Sequence, residues 1–210
     1  MRGLIYKENA IFFKSIDKRI GIIAAGAIIL LMYNSGIYAG LFASIMLAMT
    51  IGIQNITSFS TDEKAGWKKY QLALPVSGFS AVAGKYISVI CTLAVSLLGS
   101  ILLNVLSSVI FRNFDADIWK AALFLSILIP LVWTGICLPL TYWFGFNSSR
   151  VMGMILIIPM FYTIRYFEDG SGMRIMADSI GSYITAISIA AIILFGVSIM
   201  VSAAGYERRK

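Results

Sequence analysis

The nine residues Gly78 to Tyr86, GFSAVAGKY, are the part of this chain that comes nearest to a chemical motif. A phosphate-binding loop needs two glycines with four residues between them, then Lys, then a Ser or Thr hydroxyl for magnesium. Here five residues separate Gly78 from Gly84, and Tyr86 stands at the hydroxyl position. The segment also leads into an apolar stretch instead of following a strand, so Lys85 reads as the aqueous boundary of that stretch. The 210 residues include no histidine, which removes histidine general bases, histidine metal sites and the Ser/His pairing of most hydrolases. Asp115, Asp117, Glu168, Asp169 and Asp178 are spread over polar segments without the spacing of a catalytic or metal-binding cluster. Cys91 and Cys137 lie inside apolar runs and read as small hydrophobes. A self-contained enzyme is not expected.

The elements that carry these residues are dictated by hydropathy. Ile20 to Thr61 is 42 residues without a charge, and four more uncharged stretches follow at 86–111, 121–149, 151–164 and 179–206. A hydrocarbon core about 30 Å thick takes roughly 20 helical residues to cross. The first stretch therefore holds two spans, about 19–33 and 37–59, turning at Asn34-Ser35-Gly36, and the others hold one each. The expected fold is all-α: a polytopic membrane protein of six transmembrane helices in one domain over 1–210. With 59% apolar residues and a mean hydropathy of +0.87, no length remains for a soluble catalytic domain. The start of the chain lacks the order of a cleaved signal peptide.

The net charge of +7 does not indicate nucleic acid, because the charges fall in short segments between spans. Arg2, Lys7, Lys14, Lys18, Arg19, Lys64, Lys68, Lys69, Lys85, Arg150, Arg208, Arg209 and Lys210 share one side of the six-span topology and make 13 of the 17 Lys and Arg. The positive-inside rule then places both termini in the cytoplasm. No span has an internal ionisable group of the sort that proton- or sodium-coupled carriers use, so energy is expected from elsewhere.

Residues 1–17 pattern as an amphipathic helix at the membrane surface, with Leu4, Ile5, Phe12 and Ile16 on one face and Lys7, Glu8, Lys14 and Asp17 on the other. In the polar stretch 60–84, Thr61 is a candidate cap, with Asp62 and Glu63 in the favourable first turn. Trp67 and Tyr70 share a face there, either at the headgroups or against a partner, and Pro75 ends the helix. Gly36, Gly40 and Ser44 form a small-xxx-small row that suits close helix approach, within the subunit or between subunits. Pro130, Pro139 and Pro159 imply kinks. The spans' polar members are mainly Ser, Thr, Asn34, Gln54, Asn55 and Asn104, with no hydrogen-bond-rich pocket evident. Such a lumen suits amphipathic or hydrophobic cargo, with Tyr142, Trp143, Phe161 and Tyr162 facing it or, alternatively, lipid.

Three pieces of the first 86 residues carry a resemblance: Leu4-Ile5-Tyr6-Lys7-Glu8; Asp62, Glu63, Lys64, Gly66, Trp67, Tyr70, Leu74 and Pro75; and Val82, Lys85 and Tyr86. Together they resemble the small six-helix permeases of ABC-2-type exporters. The branch they are most similar to includes the permeases of phenol-soluble modulin exporters and of some bacteriocin-immunity systems, which confer antimicrobial peptide resistance in Gram-positive bacteria. The resemblance implies a half-transporter: two permeases, identical or paralogous, resting on two copies of a separate ABC ATPase that binds ATP and Mg. It implies an elbow helix bearing Leu4, Ile5, Tyr6, Lys7, Glu8 and Phe12. It also implies an ATPase-coupling helix with Asp62, Glu63, Lys64, Gly66, Trp67, Tyr70 and Pro75. The implied cargo is an amphipathic peptide and the implied location the cell membrane. A membrane immunity or sensor subunit that sequesters a peptide without transporting it is the rival reading.

Overall fold

The computed structural model describes residues 2–14, 26, 29, 36–67, 77–112, 114–146 and 171–208, with side chains of the last stretch from 184 onward. Among them the chain is wholly helical: α1 (Arg2–Lys14), a 3-10 turn (Gly36–Tyr38), α2 (Ala39–Lys64), α3 (Gly78–Phe111), α4 (Ala116–Phe144) and α5 (Ser171–Arg208). Four segments have the length and apolarity to cross a bilayer: Ala39–Glu63, Gly78–Phe111, Ala116–Phe144 and Ile184–Arg208. The expected first and fifth spans, with Asn34, Pro159, Phe161 and Tyr162, lie outside the described residues.

Local chemistry sets the boundaries. Ser77 caps α3 by accepting from the Ser80 amide, and Asp115 caps α4 by accepting from the amides of Asp117 and Ile118. Gly145, at φ 89°, follows α4 and donates to Thr141 O at 2.9 Å. One expected boundary fails. Thr61 does not begin a short helix; it belongs to the last turn of α2, its carbonyl accepting from the Ala65 amide at 3.0 Å. The stop comes at Gly66, whose φ of 62° glycine adopts without a Cβ penalty. The stretch 60–84 is therefore helical at both its ends: Asp62 and Glu63 extend a span, and Gly78 to Tyr86 forms the opening turns of α3 with no phosphate-wrapping loop.

The bundle mixes apolar core clusters, such as Val82, Val89 and Leu138, with a polar seam of short side chains. Along α3, Ser88, Thr92, Ser96, Ser100, Asn104 and Ser107 are buried, while Ile90, Leu98, Leu102 and Val109 face outward. The buried row recurs every three or four residues, one face of a helix, and it meets α2. Asn55 Nδ2 donates to Thr92 Oγ1 at 2.9 Å, and Asn104 Nδ2 and Ser100 Oγ each donate to Ser44 Oγ at 2.8 Å. Gly40 donates its amide to Ser107 Oγ at 3.1 Å, and a Cβ on Gly40 would stand 2.6 Å from Asn104 Oδ1. The Gly40/Ser44 row thus packs helices within one chain, and Asn55, Asn104 and the small hydroxyls of the spans form a hydrogen-bonded seam inside the helix packing.

The kink residue Pro130 is integrated into the same seam. Proline lacks an N–H, so the carbonyl four residues back is left without its helical donor. That carbonyl, Ser126 O, accepts instead from Ser96 Oγ of α3 at 2.7 Å. On the other side α5 packs on α3 and α4. The Tyr86 hydroxyl meets Ser198 Oγ and Ser202 Oγ at 2.6 and 2.7 Å, and Trp143 lies against Gly205 with its indole N–H on Val201 O.

Candidate functional site

Five helix segments converge at one end of the bundle: α1, the end of α2, the start of α3, and the ends of α4 and α5. There Lys7, Glu8, Asp62 and Lys85 form a closed ring of alternating charge. Lys7 Nζ lies 3.1 Å from Glu8 Oε1 and 2.5 Å from Asp62 Oδ1; Lys85 Nζ lies 2.7 Å from Glu8 Oε2 and 3.5 Å from Asp62 Oδ2. Each lysine therefore bridges both carboxylates, and the ring is neutral. Aromatic faces hold the cations from the remaining sides: Lys85 Nζ sits 3.9 Å from the centroid of Phe59 and Lys7 Nζ 4.1 Å from that of Trp67. Glu8 and Lys85 are only 8% and 5% exposed, which charged side chains reach only when paired. Burial by itself raises the Glu8 carboxyl. The charges and hydrogen bonds of Lys85 and Lys7 outweigh that, holding its pKa below the ordinary value of 4.5.

Beside the ring lies a pocket of about 150 Å³ walled by Leu4, Phe59, Ala81, Trp67, Tyr142 and Tyr206, with Glu8, Asp62, Glu63, Lys85 and Thr141 supplying polar atoms. Tyr142 packs edge-on against Phe59 at 5.1 Å, so it joins this wall. Glu63 Oε1 accepts the Phe146 amide at 3.2 Å, tying the end of α2 to the end of α4. Among the described residues no three His, Cys, Asp or Glu side chains converge as metal ligands.

Several expected residues meet here, in a different orientation from the one their pattern suggested. Lys7 and Glu8 do not form an outward polar face of α1; they point into the protein. The exposed side chains of α1 include Tyr6, at 78%, and Phe13. The physical reason is the partner: Lys85 and Asp62 offer Lys7 and Glu8 opposite charge, whereas the surface beyond α1 in a membrane protein favours aromatic rings. Leu4 and Ile5 are half-buried, and Phe12 is buried at 4%. Lys64 closes α2 and Gly66 turns the chain, while Tyr70 and Pro75 lie outside the described residues. Lys85 does not start the helix, which begins at Gly78; it is the most buried cation of the ring. The signal for it was in the sequence: Lys85, Ser88, Thr92 and Ser96 continue one polar helical row.

The family model of the ABC-2 family transporter proteins matches residues 3–207, nearly the whole chain. This chain belongs to the ABC-2 transporter family. No curated protein and no solved structure matches it. As an ABC-2 protein with four described apolar spans it is a multi-pass membrane component of a transporter, not itself the catalytic part, and the family implies an ABC ATPase as its partner. The three sequence pieces that resemble ABC-2 permeases supply all four charges of the ring and one of its aromatic faces, Trp67.

Proposed function

We propose that this chain is the permease subunit of an ABC exporter that moves amphipathic or hydrophobic peptides out of a Gram-positive cell, driven by ATP hydrolysed with Mg on a separate ATPase. The observation that carries this reading is the convergence of Lys7 and Glu8, Asp62 to Trp67, and Lys85 and Tyr86 at the end of the bundle to which the positive-inside count assigns the cytoplasm. Two permeases, identical or paralogous, pair on two ATPases. α1 is the elbow helix, lying in the inner leaflet with Tyr6 and Phe13 toward lipid. The segment 62–75, with Glu63 and Trp67 foremost, docks on the ATPase; Trp67 has the area and rigidity typical of interface anchors. Closure of the ATPase pair pushes this segment and tilts α2 and α3, changing which side of the dimer's cavity is open. Peptide cargo is favoured because the buried polar row of α3 is engaged in helix packing, leaving mainly apolar surface for a lumen.

The test is co-purification in nanodiscs with the ATPase encoded beside this chain, wild type against Trp67→Ala and Glu63→Ala. A complex of two permeases with two ATPases, weakened by either change, is the expected result, as is ATPase stimulation by amphipathic peptides. Failure to retain any ATPase would overturn the reading in favour of a peptide-sequestering membrane protein.

A further inference from the structure

We infer that Lys85 is a positioning residue. It closes the charge ring into a clasp that fixes α1 to the ends of α2 and α3, so that a push on the Asp62 segment moves all three as one body. The inference rests on the reading of Asp62 to Trp67 as the ATPase-facing segment. Three observations carry it. First, the ring joins three elements through side chains 55 positions or more apart in sequence, Lys7 to Asp62 and Glu8 to Lys85. Second, the clasp is redundant, since each lysine reaches both acids; a helix held by one pair pivots about it, whereas one held by alternating contacts on two sides does not. Third, a neighbouring contact extends the attachment along α1: Ser88 Oγ donates to Asn9 Oδ1 at 2.8 Å.

A buried ring of this kind is poorly explained as a stabiliser. Desolvating four charges offsets most of their mutual attraction, and a well-packed apolar set of equal volume would hold the elements together as well. What paired charges add is a penalty on every misaligned arrangement, because any displacement of α1 strands a buried charge. Geometry is what they secure. Lys85 is the member with the least access to water, so its loss leaves Glu8 with Lys7 as its remaining partner in the ring.

The experiment measures the distance between spin labels at Ala10→Cys on the exposed side of α1 and Phe79→Cys on the exposed side of α3, in a Cys91→Ser/Cys137→Ala background. It is made on the permease alone and on its complex with the ATPase, with and without ATP-vanadate. With the ring intact the distance is single and narrow, and it stays the same on nucleotide trapping. Lys85→Gln and Glu8→Gln each raise the displaced population about tenfold or more, because each leaves the buried ring with one uncompensated charge. The double variant Glu8→Gln/Lys85→Gln restores neutrality and membrane accumulation but still shows the broad distance. That separates positioning from folding and provides a measurable protein if the single variants do not insert. A narrow distance in the double variant, or an α1 that moves on trapping with the ring intact, would overturn the clasp. Retention of the ATPase is scored on the same preparations. Its loss from the intact protein sinks the functional reading, while the distances in the permease alone still decide the clasp.

Discussion

The seam between α2 and α3 and the ring at the α1 end both bury polar groups, and they do so by opposite means. In the seam the side chains are short and neutral, and the partner is commonly the next turn or the facing helix: Ser44 to Gly40 O, Asn104 to Ser44 and to Ser100 O. The side chains there have few rotamers, and helix approach is as close as Gly40 allows. In the ring the side chains are long and charged, the partners come from three separate elements, and a pocket of about 150 Å³ adjoins them. Short neutral pairs fix helices into one packed unit. Long charged pairs hold separate elements in register beside a space that something else can enter.

That contrast predicts unequal responses to mutation. Lys85→Met, which leaves Glu8 and Asp62 sharing Lys7 as their one cation in the ring, is expected to destabilise by about 3–5 kcal/mol, the toll of breaking a buried pair from one side; thermal unfolding in detergent measures it, and a loss under about 1 kcal/mol would place the ring in solvent. Next is Gly40→Ala in the seam. Its new Cβ falls 2.6 Å from Asn104 Oδ1, so overpacking should lower stability by about 1–3 kcal/mol, and a neutral result would mean the seam is loose. Ser96→Ala removes the donor to Ser126 O and should cost about 1–2 kcal/mol. In a Pro130→Ala background the helix regains its own amide donor, and Ser96→Ala should become nearly silent. Additive losses in that cycle would show that the bond to Ser126 is not what Ser96 contributes.

The smallest effect is pH-dependent and confined to the ring. The folded-state pKa of Glu8 is below the value of 4.5 that the unfolded chain has. The folded state therefore holds fewer protons on Glu8, and its contribution is complete above about pH 4.5 and lost as pH falls through the depressed value. Unfolding temperature should be level from neutral pH down to that point and then decline, and Glu8→Gln should remove part of the decline. An identical acid limb in the variant would assign the acid sensitivity to other carboxylates.

Much of the architecture was legible in the sequence because membrane spans are dictated by a single property summed over many residues. The uncharged runs gave the spans at 39–63, 78–111, 116–144 and 184–208 to within several residues, and Gly40 with Ser44 announced a close approach. What was not legible depended on partners distant in sequence. Lys7 and Glu8 looked like a solvated face because nothing local reveals that Lys85 and Asp62 await them. Thr61 looked like a cap because its residue type favours one, yet an apolar helix already in progress overrides a cap signal until Gly66. The polar row of α3 was readable but divided by the eye at Lys85, where a charge suggests an end.

α3 is 34 residues long, about 51 Å at 1.5 Å per residue, far more than a hydrocarbon core of about 30 Å requires. Beyond Lys85, the stretch from Tyr86 to Phe111 still measures about 39 Å. The helix is thus a mast taller than the deck it passes through, and the ring is mounted on its projecting foot. Because the surplus lets the slab settle at more than one height, the depth of Lys85 is set by the lipid as well as by the chain. A thicker bilayer brings the hydrocarbon edge nearer to the ring and raises the penalty for opening it; a thinner one leaves the ring in the headgroups, where water can share the charge. Membrane thickness is then expected to act as a dial on how firmly α1 is held.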